Sequence, residues 1–119
     1  MTSPRERRWR AWKGELVVSA FVAAEADYLI LSRLGVEVQT AFVEDLASAY
    51  RVDLLDPPGL IRAAETCRQY RDLELGLADA SIVVLADNWS THSLASFDER
   101  DFRVVTALDG NPFELFPVA

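Results

Sequence analysis

Leu16-Val-Val-Ser-Ala-Phe-Val-Ala-Ala-Glu-Ala-Asp-Tyr-Leu29 is the stretch from which the rest of the chain is read. Leu16-Val17-Val18 is a short run of strand-favouring apolar residues and predicts a buried strand. Ser19 follows at once, with a hydroxyl able to accept from the free N–H groups at the start of a helix. The predicted helix runs from there to Leu34, and Gly35 supplies a backbone that tolerates the left-handed stop. A strand that feeds straight into a capped helix is the repeating unit of an α/β fold.

The same alternation continues outward. A second helix is predicted over Val36 to Ala49, where Val38, Ala41, Phe42, Leu46 and Ala49 fall at helical spacing. Tyr50 to Leu55 alternates as a strand. Asp56-Pro57-Pro58 is a helix start, with an acid at the cap and proline in the first turn; that helix is expected to reach about Leu73. Gly76 precedes another, from Ala78 to Trp89. Ser93 to Phe97 is a candidate strand, and Asp98-Glu99-Arg100-Asp101 a turn. Arg103 to Leu108 and Phe113 to Phe116 are expected as closing strands around Asp109-Gly110-Asn111-Pro112. Before Leu16, residues 5–13 read as a short basic helix with Trp9 and Trp12 on one face, broken by Gly14. Strands alternating with helices predict α/β architecture with a mostly parallel sheet.

The chain has 119 residues, half of them apolar, which suits one domain with one core. Its apolar runs are short and interrupted by acids, so neither a membrane span nor a signal peptide is expected. Cys67 is the single cysteine; an intrachain disulfide is excluded, and a reducing, cytoplasmic setting is the expectation. The net charge of −7 is unevenly placed: residues 1–14 carry five basic groups and one acid, leaving seven basic groups against eighteen acids in the remainder. A body this acidic does not bind nucleic acid by backbone neutralisation alone. It can still process nucleic acid if a divalent cation offsets its carboxylates, and it suits a basic protein partner.

Three carboxylates stand where a solvated acid is not expected. Glu25 has Phe21, Val22, Tyr28 and Leu29 as its helical neighbours, and an unpaired carboxylate on an apolar surface is normally paired, protonated or bound to a cation. Asp27 shares that helix, and periodicity does not separate the two. Asp79 sits in the first turn of its helix, where the macrodipole alone favours an acid, yet it shares a face with Leu75, Ile82, Val83 and Ala86. Asp98 stands at the carboxyl end of a predicted strand, where open α/β sheets place ligands, although a turn-forming role explains it too. Asp101, three residues on, is explained more simply as a surface or capping acid. Carboxylates on successive α/β units suit Mg²⁺ or Mn²⁺, and with it metal-assisted phosphodiester hydrolysis. A zinc site is disfavoured by a single histidine, His92, and a single cysteine. A nucleophile elbow and a glycine-rich phosphate loop are both missing from the sequence.

With those residues in place, Leu16 to Leu29 resembles the second strand and following helix of VapC-type PIN-domain toxins, whose Ala-Glu step supplies a metal-site carboxylate. Leu75-Gly-Leu-Ala-Asp-Ala-Ser-Ile82 resembles the family's Gly-x-x-Asp-Ala signature, and Ser96-Phe-Asp-Glu-Arg-Asp-Phe102 its Thr-x-Asp-x-x-x-Phe signature. The resemblance spans roughly Leu16 to Phe116 and implies a single three-layer PIN-like domain. It makes Glu25, Asp79 and Asp98 the metal-site acids, with Asp101 in support and Ser96 keeping the hydroxyl of the usual threonine. It further implies Mg²⁺-dependent (or Mn²⁺-dependent) endoribonuclease activity, a cognate antitoxin, an RNA substrate and homodimers. One departure stands out. Family members open with an apolar strand ending in the first acid, which has no counterpart here; residues 1–14 match at best the end of the first helix. The expectation is therefore a ribonuclease weakened by a missing ligand. The alternatives are a catalytically inactive PIN-like module that binds an antitoxin or RNA, and an unrelated α/β interaction domain.

Overall fold

The computed structural model describes residues 16–49, 51–96 and 101–117. The basic segment with Trp9 and Trp12, Tyr50, Phe97 and the turn residues Asp98, Glu99 and Arg100 lie outside the described residues. In chain order the elements are β1 (Val17–Ser19), α1 (Ala20–Leu34), α2 (Val36–Ala49), β2 (Arg51–Asp53), α3 (Pro57–Gln69), α4 (Leu77–Asn88), β3 (Ser93–Ser96) and β4 (Glu114–Pro117). Short 3₁₀ turns cover Arg71–Leu73 and Asp101–Arg103.

Local chemistry fixes most of these boundaries. Ser19 Oγ accepts from the Phe21 and Val22 N–H groups at 3.2 and 3.4 Å, starting α1 as expected. Gly35 ends it at φ +89°, a backbone that side chains rarely adopt, and donates its N–H to the Leu31 carbonyl. Helix α2 starts immediately, so α1 and α2 form a tight hairpin, pinned by Gln39 Nε2 donating to Asp27 Oδ1 at 2.6 Å. Asp56 Oδ1 accepts from Gly59 N–H at 2.8 Å and caps α3.

Helix α4 is the centre of the molecule. Ala80, Ser81, Val83, Val84, Leu85 and Ala86 are all buried, so it is apolar around most of its circumference, as a helix enclosed by other elements must be. Helix α3 lies against it through Ala63 and Thr66, and Leu55, Leu75, Leu94, Phe102, Val105, Ala107 and Phe113 complete the core. Phe102 and Phe113 meet edge to face, centroids 6.2 Å apart. Full burial of a side chain such as Val83 or Val84 stabilises the fold by roughly 1.5–3 kcal/mol.

Among the described residues both strand pairs are parallel, in keeping with the α/β expectation. β1 pairs with β2 (Val17 with Arg51, Ser19 with Asp53), and β3 with β4 (Ser93 with Glu114, Ser96 with Pro117). Among the described residues the two pairs are not joined into one sheet. Three predicted boundaries need correction. The strand expected over Tyr50 to Leu55, of which Tyr50 lies outside the described residues, ends at Asp53, since Leu54 turns outward and Leu55 enters the core. Helix α3 stops at Gln69 instead of Leu73, because the chain tightens into the Arg71–Leu73 turn and Glu74 takes φ +52°. Arg103 to Leu108 is not a strand: Phe102, Val105 and Ala107 are anchored in the core. The Thr106 N–H is taken by the Tyr70 hydroxyl at 3.0 Å, leaving only a single bridge to Pro112.

Ser81 is a polar side chain in the most buried helix. Its Oγ donates to the Ala78 carbonyl at 2.6 Å and lies 2.6 Å from Ser19 Oγ. With the Ser81 proton on that carbonyl, Ser19 must donate to Ser81, and the order is fixed: α1 N–H groups to Ser19, Ser19 to Ser81, Ser81 to Ala78. A hydroxyl left without its partner at this depth costs about 1–3 kcal/mol. Ser81→Ala is therefore expected to lower unfolding free energy by about that amount. In a double-mutant cycle by urea denaturation, Ser19→Ala should lose less in the Ser81→Ala background than alone, by at least about 0.5 kcal/mol. Strict additivity would show that the two hydroxyls are not coupled.

At the other end of β3, Asp109 Oδ2 meets His92 Nε2 at 2.7 Å, and Asp109 Oδ1 accepts from Asn111 N–H at 3.0 Å. The Asn111 backbone bond, then the His92 side-chain bond, holds the Asp109 carboxyl below its ordinary value of 3.8. A carboxyl depressed on folding contributes stability above its unfolded pKa and loses it as pH falls through the lower folded value. The turn should thus hold unchanged from neutral pH down to about pH 4 and loosen below 3.8. Urea midpoints between pH 5 and 2.5 should fall less steeply for Asp109→Asn than for the unsubstituted chain; identical slopes would assign the acid sensitivity elsewhere.

Candidate metal and phosphodiester site

Two helices begin side by side. The first turn of α1 follows β1 directly, the first turn of α4 follows Gly76, and the Ser19–Ser81 bond joins them. Helix N-termini carry exposed N–H groups and partial positive charge, so this junction favours acids and anionic ligands. Gly76 offers α4 no side-chain cap, and Asp79 occupies its first turn.

Asp79 is half-buried and engaged in a polar interaction. It lies two residues before Ser81, on the turn that Ser81 holds through the Ala78 carbonyl. Glu25 lies six residues beyond Ser19, fewer than two turns along α1. It is exposed, and the surface around it is open: Phe21 and Val22 are half-buried, whereas Tyr28 and Leu29 are 69% and 42% exposed. The stripe of α1 turned inward is Ala23, Ala26, Asp27 and Ile30. The expectation of Glu25 on an apolar surface thus needs refining: among the described residues that surface faces out. The acid on the inward stripe is Asp27, and its bond to Gln39 gives it a structural task in the α1–α2 hairpin.

Asp98, the third expected acid, lies outside the described residues. Ser96 ends β3, opposite Pro117, and Asp101 opens the 3₁₀ turn that leads to Phe102; the side chains of both are outside the description. Among the described residues no group of three or more His, Cys, Asp and Glu gathers as a metal cage. The available donors, Glu25 and Asp79, are carboxylate oxygens. That is the hard donor type suited to Mg²⁺ or Mn²⁺ and unsuited to metals that demand thiolate or imidazole.

Sequence reasoning missed the partnership of Ser19 and Ser81. Ser19 was legible as a cap, but its second bond reaches a residue 62 positions away. The signal available was Ser81 itself, a hydroxyl in an otherwise apolar helical run. Also unforeseen was the cluster at the far end of α4, where Arg51 lies 4.8 Å above the Trp89 ring and Trp89 Nε1 donates to Asp53 Oδ2 at 2.8 Å. Beside it Arg62 pairs with Asp87 and Asn88. These contacts tie β2 and α3 to α4, and each charge is matched locally.

Known proteins match this chain closely. The PIN-domain family model matches residues 2–108. Ribonuclease VapC26 of Mycobacterium tuberculosis is 36% identical over 103 residues, covering 86% of this chain and 76% of that protein. Among solved structures, Mycobacterium tuberculosis VapC20, described as a Sarcin-Ricin loop cleaving toxin, superposes with a TM-score of 0.68 at 20% identity. That match covers 79% of this chain and 73% of the other, and at this identity it speaks for the fold. The family-model match over most of the chain and the identity to a VapC ribonuclease lead to one conclusion: the chain belongs to the PIN-domain family, as a VapC-type member.

Proposed function

We propose that this chain is the toxin of a toxin–antitoxin module, an endoribonuclease that hydrolyses RNA phosphodiester bonds with Mg²⁺ or Mn²⁺. The observation that carries the reading is the 36% identity to Ribonuclease VapC26 across 86% of the chain. Asp79 in the first turn of α4 and Glu25 in the second turn of α1, on two helices linked by the Ser19–Ser81 bond, are compatible with it. In this reading Glu25, Asp79 and Asp98 hold the ion, Asp101 supports them, and Ser96 contributes a hydroxyl at the end of β3. A divalent ion held by these residues would supply positive charge at the scissile phosphate and would lower the pKa of a water molecule. The chain's own part is to orient. The α4 N-terminus, which has no side-chain cap, would offer N–H groups to an anionic backbone, and rigid helices fix the carboxylates, where small misplacements are costly in rate. An acidic body relies on that ion to receive RNA at all.

The expected result is weak cleavage of a structured RNA that EDTA abolishes and Mg²⁺ or Mn²⁺ restores. Asp79→Asn, Glu25→Gln and Asp98→Asn should each lower the rate by on the order of a hundredfold or more. Asp79→Asn should still fold, losing at most about 1 kcal/mol of helix-dipole stabilisation in the first turn of α4. Cleavage that resists EDTA and survives Asp79→Asn would overturn the metal mechanism.

The antitoxin and a second copy of the chain are the proposed protein partners. Tyr28, Leu34 and Val36 on the α1–α2 hairpin are 69%, 64% and 56% exposed, and the same hairpin carries the exposed acids Glu37, Glu44 and Asp45. Apolar exposure of this kind, on a hairpin that also carries acids, fits an antitoxin segment that is apolar on one face and basic on the other. Leu54 and Ile61, 70% and 63% exposed around the start of α3, are the proposed self-association surface. An RNA substrate places the action in the cytoplasm, and no helix among the described residues is long and apolar enough to cross a membrane. Leu34→Glu should break copurification with the co-expressed cognate antitoxin but leave the size of the chain alone in light scattering unchanged, and Ile61→Glu should do the reverse. Copurification that persists in Leu34→Glu would move the antitoxin off this hairpin.

A further inference from the structure

Helix α1 is held to the core by little apolar surface. Ala23 is its one buried side chain, at 7% exposure, Phe21 packs on the core from the first turn, and the inward stripe continues with Ala26, Asp27 and Ile30, all half-buried. Across from it α4 offers Ala80 and Val83 among its buried residues. Beyond Phe21, the contact is made largely by small side chains, which register poorly, since dispersion contacts change little when one helix slides a fraction of a residue along another. A hydrogen bond is different: it has a narrow distance and a preferred direction. A slide of a single residue, about 1.5 Å, would lengthen and bend the 2.6 Å contact between Ser19 and Ser81.

The relay is also complete. Ser19 is 5% exposed and Ser81 fully buried, and the ordered chain from α1 N–H through both hydroxyls to the Ala78 carbonyl uses each proton once. Among the described residues no buried side-chain polar atom is left without a partner. Each end of the relay borders a proposed ligand. Ala78, its final acceptor, is bonded to Asp79 along the chain, and Ser19 begins the helix that carries Glu25.

We propose that Ser19 and Ser81 are positioning residues for the divalent-cation site: their hydroxyl relay sets the separation of the Glu25 and Asp79 carboxylates, and through it the affinity for the ion. This rests on the reading of Glu25 and Asp79 as metal ligands. Neither serine is a catalytic residue; both act through the helices they join. The effect is of the outer-shell kind, in which groups that orient ligands change metal affinity by roughly 10- to 100-fold.

The test is Mn²⁺ binding to the full chain by calorimetry, in the absence of RNA, well below the unfolding temperature. The unsubstituted chain should bind Mn²⁺, and Glu25→Gln and Asp79→Asn should abolish binding. Ser81→Ala should weaken binding at least tenfold, and Ser81→Thr, which keeps the hydroxyl, should restore it to within about threefold. Ser81→Cys, similar in volume but a poor donor, should behave like Ser81→Ala and serves in its place if the alanine variant does not fold. A purely structural role predicts a lower melting temperature for Ser81→Ala with unchanged Mn²⁺ affinity. That result overturns the proposal and leaves the site standing. Failure of Ser81→Thr to restore affinity also overturns it. Mn²⁺ binding that is absent in the unsubstituted chain, or unaffected by Glu25→Gln and Asp79→Asn, overturns the site and the relay's role with it.

Discussion

A helix that is apolar on nearly all sides has to be surrounded, and the burial of α4 is the constraint on which the other elements depend. Helix α3 takes one side through Ala63 and Thr66, α1 approaches near its first turn, and the segment from Phe102 to Phe113 closes the rest with Val105 and Ala107. The strand pairs follow from the same demand, because β1 and β3 are short and draw their packing from the helix they flank. Any polar group carried into that interior must find a partner inside it. Ser81 does, and the partner it finds belongs to the helix that also carries Glu25.

The chemistry of the proposed site grows out of that arrangement. An acid in the first turn of α4 is favoured by the helix dipole, and the same dipole favours the phosphate an RNA substrate would bring. The neighbouring N-terminus of α1 adds to both effects. This offsets the character of the body, which is strongly acidic away from residues 1–14. Ion pairs elsewhere on the described surface, Arg62 with Asp87 and Arg51 with Asp53, are matched in sign and exposed. Pairs of this kind contribute little stability and leave no surplus positive charge to draw nucleic acid.

Much of the secondary structure was legible because its signals are local. Ser19 and Asp56 announce helix starts through side chains that reach only two or three residues, and Gly35 ends α1 with a backbone few other residues adopt. The boundaries that shifted are those where a distant group intervened. Thr106 sits in a strand-like sequence, yet its N–H goes to the hydroxyl of Tyr70, 36 residues earlier. Leu54 and Leu55 look alike in composition, and only the core decides which of them is buried.

The candidate acids divide in the same way. Alone, the sequence determined the α/β alternation, the apolar character of α4 and the three motifs that place Glu25, Asp79 and Asp98 in order along the chain, because spacing and residue type are properties of neighbours. Periodicity left Glu25 and Asp27 equivalent on one mostly apolar helix, and only the Ala-Glu motif singled out Glu25. The tertiary structure adds that Asp27 turns inward to Gln39 while Glu25 lies on the open side. It likewise decided that Ser19 is more than a cap. A hydroxyl bond across 62 residues depends on where two helices meet, and that meeting is set by packing around α4, which spacing along the chain does not encode.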